Sequence, residues 1–270
     1  MQAHPSVNLP ARVPLWPEGR TPGPRDETGD FPNLTFYLPS GEYRTGMTVL
    51  ILPGGGYGLV SSAKEGHRPA QLFNALGIAA AVLEYRHAPC RHPLPLLDAQ
   101  RAMRVLHQLA EQHGLNTSRI GVLGFSAGGH LAGSLATQPD AAFPREKDPL
   151  DARPFTPAFA ALIYPVVSLT ADFAHRGSRD NLLPDPEDEQ LAAELSIEQA
   201  VTPATPPMFL VHTQDDDSVD PENSIALWRS LTRAGVSAEL HVYPTGGHGF
   251  GLANHHPWSG ELLRWLQNRL

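Results

Sequence analysis

The segment Ile120-Gly121-Val122-Leu123-Gly124-Phe125-Ser126-Ala127-Gly128-Gly129-His130 restricts the fold more than any other part of the chain. An apolar run ends in Gly-x-Ser-x-Gly, and an Ala/Leu-rich stretch follows from His130 to Thr137. That order predicts a buried strand, a sharp turn and a helix. A turn this tight leaves no room for side chains at its flanks. Glycine therefore stands at 124 and 128, and Ser126 is held at the tip in a strained conformation with its oxygen exposed. Chance supplies such a match in about one chain in ten of this length and glycine content, so the flanking strand and helix carry the reading. A serine hydroxyl is a weak nucleophile at its own pKa and needs a base beside it. The rest of the chain must then supply that base, a group to orient it, and donors for an oxyanion.

Apolar runs recur along the chain at the spacing of a wound sheet. Asn33 to Leu38 alternates with β-favouring residues and reads as a strand. Met47 to Leu52, Ile78 to Leu83, Ala160 to Tyr164, Met208 to His212 and Ala238 to Tyr243 read as further strands. Most of these are continuous apolar runs, as expected of strands buried on both faces. Helical patterns lie at Ala63 to Leu76, Pro95 to His113, Glu222 to Ala234 and Pro257 to Leu270. The alternation predicts a mostly parallel sheet with helices on both faces. Sites in such sheets form beyond the carboxyl ends of strands. Gly55, Ser126, Asp216 and His248 all fall in loops just after strands, and their agreement is the strongest sequence argument for one shared site.

The order nucleophile, acid, histidine is the one used on this kind of sheet. The chain has 13 histidines, so one near its end means little by itself. His248 stands apart because glycines at 246, 247 and 249 flank it in a loop that can reach across to Ser126. It is the expected base, judged on geometry before pKa. His130 reads as a helix-face residue beside the elbow, His212 and His241 as packed strand residues, and His255 with His256 as part of a solvated turn. The acid is expected in the turn after His212, where Asp215, Asp216, Asp217 and Asp220 crowd together. It must fix the tautomer of His248 and stabilise its charged form. One of the four should point inward and the others be solvated, because close carboxylates raise one another's pKa. Spacing does not choose among them. The run Pro53-Gly54-Gly55-Gly56-Tyr57 follows a buried strand, and its backbone can approach a ligand closely. The N–H groups of Gly55 and Gly56, with that of Ala127, are the expected oxyanion donors. Glu65 can line the site or support a loop, or simply favour a helix N-terminus by its charge, and the last reading is preferred for it and for His67.

At 270 residues the chain fits one large α/β domain spanning residues 1–270. Residues 1–32 read as an extended N-terminal arm. Residues 165–206 form a long excursion rich in Pro, Asp and Glu, read as a small lid partly over the site with a helix at Glu187 to Leu195. The net charge is −8 with no basic block, which argues against nucleic acid as a partner. Cys90 is the single cysteine, so no internal disulfide forms. There is no leader of ordinary form and no apolar run of membrane-spanning length, so a cytoplasmic protein without membrane association is the expectation. No cluster has metal-ligand spacing, and neither a metal nor another cofactor is expected.

With these residues in hand, the chain resembles the α/β-hydrolase superfamily, and within it the esterases that include acetyl xylan esterases. The pieces that carry the likeness are Pro-Leu-Trp-Pro-Glu-Gly at 14–19, Pro-Gly-Gly-Gly-Tyr at 53–57 and Lys-Glu-Gly-His at 64–67, then Gly-Phe-Ser-Ala-Gly-Gly-His-Leu at 124–131. Gly-Ser-Arg-Asp-Asn-Leu-Leu at 177–183, Pro-Pro-Met-Phe-Leu-Val-His-Thr at 206–213, Glu-Asn-Ser at 222–224 and Gly-Gly-His-Gly-Phe at 246–250 continue it. Against the family pattern the acid falls on Asp216, four residues after His212. Asp220 stands before Pro221 where the family usually has Pro directly after the Val, which leaves Asp215 as the alternative. Pro53 replaces the His that precedes the glycines of hormone-sensitive-lipase-like esterases, so the likeness favours the acetylesterase group. It implies a serine carboxylesterase acting on short acyl esters, acetyl first, carried by a carbohydrate. Three rival readings are a prolyl-oligopeptidase-like peptidase, for whose extra domain the length leaves no room, a dienelactone-type hydrolase, which would have Cys at the elbow where Ser126 stands, and a non-catalytic binding protein, which would have lost a member of the triad.

Overall fold

The computed structural model describes residues 10–24, 32–252 and 256–268. Its strands are β1 (Ala11–Pro14), β2 (Asn33–Tyr37), β3 (Thr48–Leu52), β4 (Ala79–Glu84), β5 (Ile120–Phe125), β6 (Ala160–Ile163), β7 (Met208–Thr213) and β8 (Ala238–Tyr243). They form one sheet in the order β1-β2-β4-β3-β5-β6-β7-β8. The β1–β2 and β2–β4 pairings are antiparallel, and every pairing from β4 to β8 is parallel. The helices are α1 (Arg68–Ala75), α2 (Leu94–Gln112), α3 (Ala127–Thr137), α4 (Arg176–Leu182), α5 (Glu189–Leu195), α6 (Ile197–Ala200), α7 (Glu222–Arg233) and α8 (Trp258–Gln267).

The two-residue period of the strands sorts side chains between two cores. Leu50, Leu52, Val122 and Leu210 join Leu97, Leu106, Leu131 and Leu231 of α2, α3 and α7. Val49, Ile51, Leu123 and Val211 join Phe73 of α1 and Trp258, Leu262 and Trp265 of α8 on the opposite face. Both faces are covered, which is why the inner strands read as unbroken apolar runs. Each such side chain stabilises the fold by roughly 1.5–3 kcal/mol relative to exposure. The register aligns Leu52 with Gly124, Phe125 with Ile163 and Thr213 with Tyr243. The loops that follow β3, β5, β7 and β8 therefore emerge at one edge of the sheet.

Three features differ from the sequence reading. Part of the expected arm is a strand, β1, paired with β2 from Ala11↔Phe36 to Pro14↔Asn33. Four residues ending in Pro carry no alternation to detect, and an edge position tolerates the missing donor. The remainder of residues 10–24 docks on a buried ion pair. Asp98 accepts from Arg86 Nε (2.8 Å) and NH2 (2.7 Å) and from Trp16 Nε1 (3.1 Å), while Arg86 also donates to the Pro22 carbonyl. Residues 1–9 and 25–31 of the arm lie outside the described residues, as do His255 and the last two residues of the expected closing helix. Second, the helix expected from Ala63 begins as a π-helix, Ser62–His67, before α1. Third, the 165–206 excursion holds three short helices. The expected one starts at Glu189, capped by Asp188, which accepts from Leu191 N–H at 2.9 Å. The seven residues of α4 include a Gly and no apolar stripe, so no periodicity announces them. Among the described residues no helix is long and apolar enough to cross a membrane.

Candidate active site

Ser126 joins β5 to α3 with φ 52° and ψ −121°, a conformation that L residues avoid. Glycine is required on both sides. A Cβ at 124 would stand 2.2 Å from the Gly128 carbonyl oxygen, and one at 128 would stand 2.2 Å from that of Leu52. The strained backbone is held from both ends. Ser126 N–H donates to the Ile163 carbonyl (3.0 Å), and its own carbonyl accepts from His130 N–H and Val166 N–H (both 3.1 Å). The side chain meets His248, with Oγ 2.9 Å from Nε2.

His248 reaches Ser126 on a loop with three left-handed or unusual glycines, φ 156° at Gly246, 63° at Gly247 and 67° at Gly249. Its Nδ1 lies 2.8 Å from Asp216 Oδ2. Of the four aspartates in the turn, Asp216 alone is buried, at 8% exposure, and Asp215, Asp217 and Asp220 are exposed. Burial by itself would raise the Asp216 pKa. Hydrogen bonds from His212, His248 and the Val219 N–H outweigh it and hold the carboxyl well below the usual carboxylate range. Its Oδ1 accepts from Ser218 N–H (3.0 Å) and Val219 N–H (2.9 Å), so the carboxylate is fixed by backbone on one side and free to orient His248 on the other. Asp215 does something else. It accepts the Gly246 N–H (3.2 Å) and Gly247 N–H (2.8 Å), which braces the histidine loop without touching the imidazole.

The glycine loop after β3 lies against the elbow. A Cβ on Gly54 would be 2.9 Å from Ser126 Cβ. The C=O and N–H of a trans peptide point in opposite directions. The Gly54 carbonyl accepts from Ser61 N–H (2.9 Å), and the Gly55 carbonyl accepts from Gly58 (3.0 Å) and Leu59 (3.2 Å). These bonds fix two peptide planes and turn the N–H groups of Gly55 and Gly56 the other way, where they meet no acceptor among the described residues. Ala127 is the first residue of α3, so its N–H has no acceptor within the helix. The N–H groups of Gly55, Gly56 and Ala127 are thus uncommitted, on the two loops that meet at Ser126.

Sequence reasoning set aside the role of the residue that stands behind these loops. Glu65 is not a surface charge at a helix start but is 4% exposed, carried inward by the π turn. Its Oε2 accepts the Gly54 N–H (2.8 Å), and its Oε1 accepts the Tyr164 hydroxyl (2.8 Å). Tyr164 in turn accepts from Gly251 N–H (3.0 Å) and lays its ring edge-on against His248, centroids 4.9 Å apart. The only sequence signal was the Lys-Glu-Gly-His likeness. His130 also does more than face a helix. Its Nε2 donates to the Leu195 carbonyl (2.9 Å), which leaves Nδ1 to accept from Tyr57 OH (2.8 Å).

Burial lowers the His130 pKa from 6.5 to about 4. The folded state therefore keeps the ring neutral while the unfolded chain takes up a proton first, so stability falls as pH drops through this window. From about pH 6.5 to about pH 4 the expected loss is up to roughly 3 kcal/mol. Urea unfolding across that range checks it. His130→Gln, which can still accept from Tyr57 and donate to Leu195, is expected to flatten the dependence. Part of the slope should persist, because burial also lowers His92 to about 4.

A mostly parallel sheet with serine at a strand–helix elbow, and an acid and a histidine on later strand-end loops, defines an α/β-hydrolase. The chain belongs to the BD-FAE family, whose family model matches residues 34–231. It is similar to the acetylxylan esterase of Xylanibacter ruminicola, 32% identical over 241 residues that cover 88% of this chain and 47% of that protein. It is also similar to endo-1,4-beta-xylanase B of Butyrivibrio fibrisolvens, 34% identical over 238 residues that cover 86% of this chain and 36% of that protein. The chain thus spans half or less of the length of these curated relatives. Among solved structures, the acetyl ester-xyloside bifunctional hydrolase of Caldicellulosiruptor lactoaceticus superposes with a TM-score of 0.89 at 37% identity, over 97% of both chains.

Proposed function

We propose that the chain is a serine ester hydrolase that removes short acyl groups, acetyl first, from carbohydrates such as acetylated xylan or xylo-oligosaccharides. The observation that carries this reading is the hydrogen-bonded series Ser126–His248–Asp216. Neutral His248 donates Nδ1–H to Asp216 and takes the Ser126 proton at Nε2 as Oγ attacks the acyl carbon. The tetrahedral oxyanion is held by the N–H groups of Gly55, Gly56 and Ala127, and removal of one such donor typically costs about 10²–10³-fold in rate. Collapse breaks the ester bond, and the departing alkoxide takes the proton back from Nε2. Water, deprotonated by His248, then attacks the acyl-serine and releases the carboxylic acid and Ser126. No metal or cofactor enters these steps.

The substrate class is supported by the names of two relatives, which pair an acetyl ester with xylan or xyloside, and by that of a third, a xylanase. Acetate release from acetylated xylo-oligosaccharides, alongside p-nitrophenyl acetate and butyrate, tests it. The kcat/KM for acetate is expected to exceed that for butyrate by about tenfold or more, the scale at which a pocket discriminates methylenes. Turnover of simple esters with no acetate from the oligosaccharides overturns the carbohydrate assignment, and no turnover of any ester overturns the hydrolase.

A further inference from the structure

Within the 165–206 excursion, one side of α4 meets the glycine loop. Asn181 Nδ2 donates to the Gly56 carbonyl at 2.9 Å. His175 Cε1 and Ser178 Oγ each lie 4.0 Å from the point a Cβ on Gly56 would occupy. The three residues are spaced by three, so they share a helix face. His175 caps α4. Its Nδ1 accepts the Ser178 N–H at 3.1 Å, and the Ser178 hydroxyl lies 2.8 Å from the same nitrogen. A ring nitrogen that accepts a backbone N–H carries no proton, so in neutral His175 the proton is on Nε2. That Nε2–H meets no acceptor among the described residues, and the ring is half-buried. Burial and the nearby His248 lower the His175 pKa, against an opposing pull from Asp216.

We propose that His175 is a specificity-determining residue whose Nε2–H donates a hydrogen bond to an oxygen on the alcohol half of the ester, a hydroxyl or ring oxygen close to the acylated carbon. The inference rests on the proposed hydrolase reading of Ser126. In that reading the acyl carbonyl oxygen belongs to the N–H groups of Gly55, Gly56 and Ala127. A donor placed across Gly56 then faces what is attached to the ester. An ester of a plain hydrocarbon alcohol brings no acceptor there, whereas a sugar ester carries oxygens on the neighbouring carbons. Selection works through an unpaired donor: once a bound ester covers the ring, leaving its N–H unsatisfied costs more than the bond gains in water.

A purely structural role as the α4 cap is separated by choice of variant. His175→Asn keeps a side-chain acceptor for the Ser178 N–H, Asn being among the best N-caps, and removes the Nε2 donor. His175→Gln places an amide N–H near the lost one. The readout is the ratio of kcat/KM for methyl O-acetyl-β-xylosides to that for cyclohexyl acetate, a ring ester without the sugar oxygens. In His175→Asn the ratio is expected to fall about tenfold, the effect of one lost hydrogen bond, with Tm retained, and in His175→Gln to recover in large part. An unchanged ratio in His175→Asn overturns the inference, as does an equal loss on both esters, which is the mark of a cap or loop role. A wild-type protein that hydrolyses cyclohexyl acetate and not the xylosides overturns the carbohydrate assignment itself and removes the basis for the inference.

Discussion

Ser126→Ala is expected to lower kcat on acetate esters by about 10⁵–10⁶-fold, on the scale seen when the nucleophile of a triad is removed. In the proposed mechanism this hydroxyl forms the covalent bond to substrate. His248 can still activate water, but water is not held 2.9 Å from Nε2 by an elbow. Binding should change little, because the donors of the glycine loop and Ala127 remain. The fold should persist as well: alanine has the same Cβ and meets the same strain at φ 52°. Stoichiometric labelling by an organophosphate, present in the wild type and absent in the variant, assigns the loss to the nucleophile. Activity within tenfold of wild type would sink the assignment.

Asp216→Asn comes next, with an expected loss of about 10³–10⁴-fold in kcat. The carboxylate accepts Nδ1–H of His248 and so leaves Nε2 free to take a proton. An amide –NH₂ in the Oδ2 position donates instead, which favours the tautomer with the proton on Nε2. That tautomer cannot accept from Ser126. Asp215→Asn is expected to cost less than about tenfold, since Asn retains one oxygen for the Gly246 and Gly247 N–H groups that Asp215 now accepts. Parallel kcat measurements on the two variants check the assignment, and a larger loss for Asp215→Asn would transfer the role.

The elbow was legible because its constraint is local. A two-residue spacing of glycines around Ser126 is the direct image of carbonyls 2.2 Å from where side chains would begin. His248 was legible for a related reason, a histidine set among glycines after the last strand. The choice between Asp215 and Asp216 was legible in the family likeness and not in the spacing. Adjacent residues of one turn point to opposite sides, and what separates them is contact with an imidazole 32 residues later. Glu65 was misread because a glutamate at the start of a helical pattern has an ordinary explanation, while its actual partners are a backbone N–H 11 residues away and a phenol 99 residues away. β1 and α4 lacked any periodic signal, and each takes its conformation from what it packs against, β2 in one case and the glycine loop in the other.

The Glu65 carboxylate has a consequence for precision. Transfer of a proton and attack on a carbonyl tolerate very small errors, and a displacement of about 1 Å can cost about 10²-fold. The loop after β3 and the loop after β8 leave strands four places apart in the sheet, so independent jitter in each would add. Through Gly54 on one oxygen, and Tyr164 with Gly251 on the other, both loops are referenced to the same anion. Their errors are then expected to be shared: when one loop shifts the other is drawn with it, and the distance between the proposed oxyanion donors and the proposed base should vary less than the position of either.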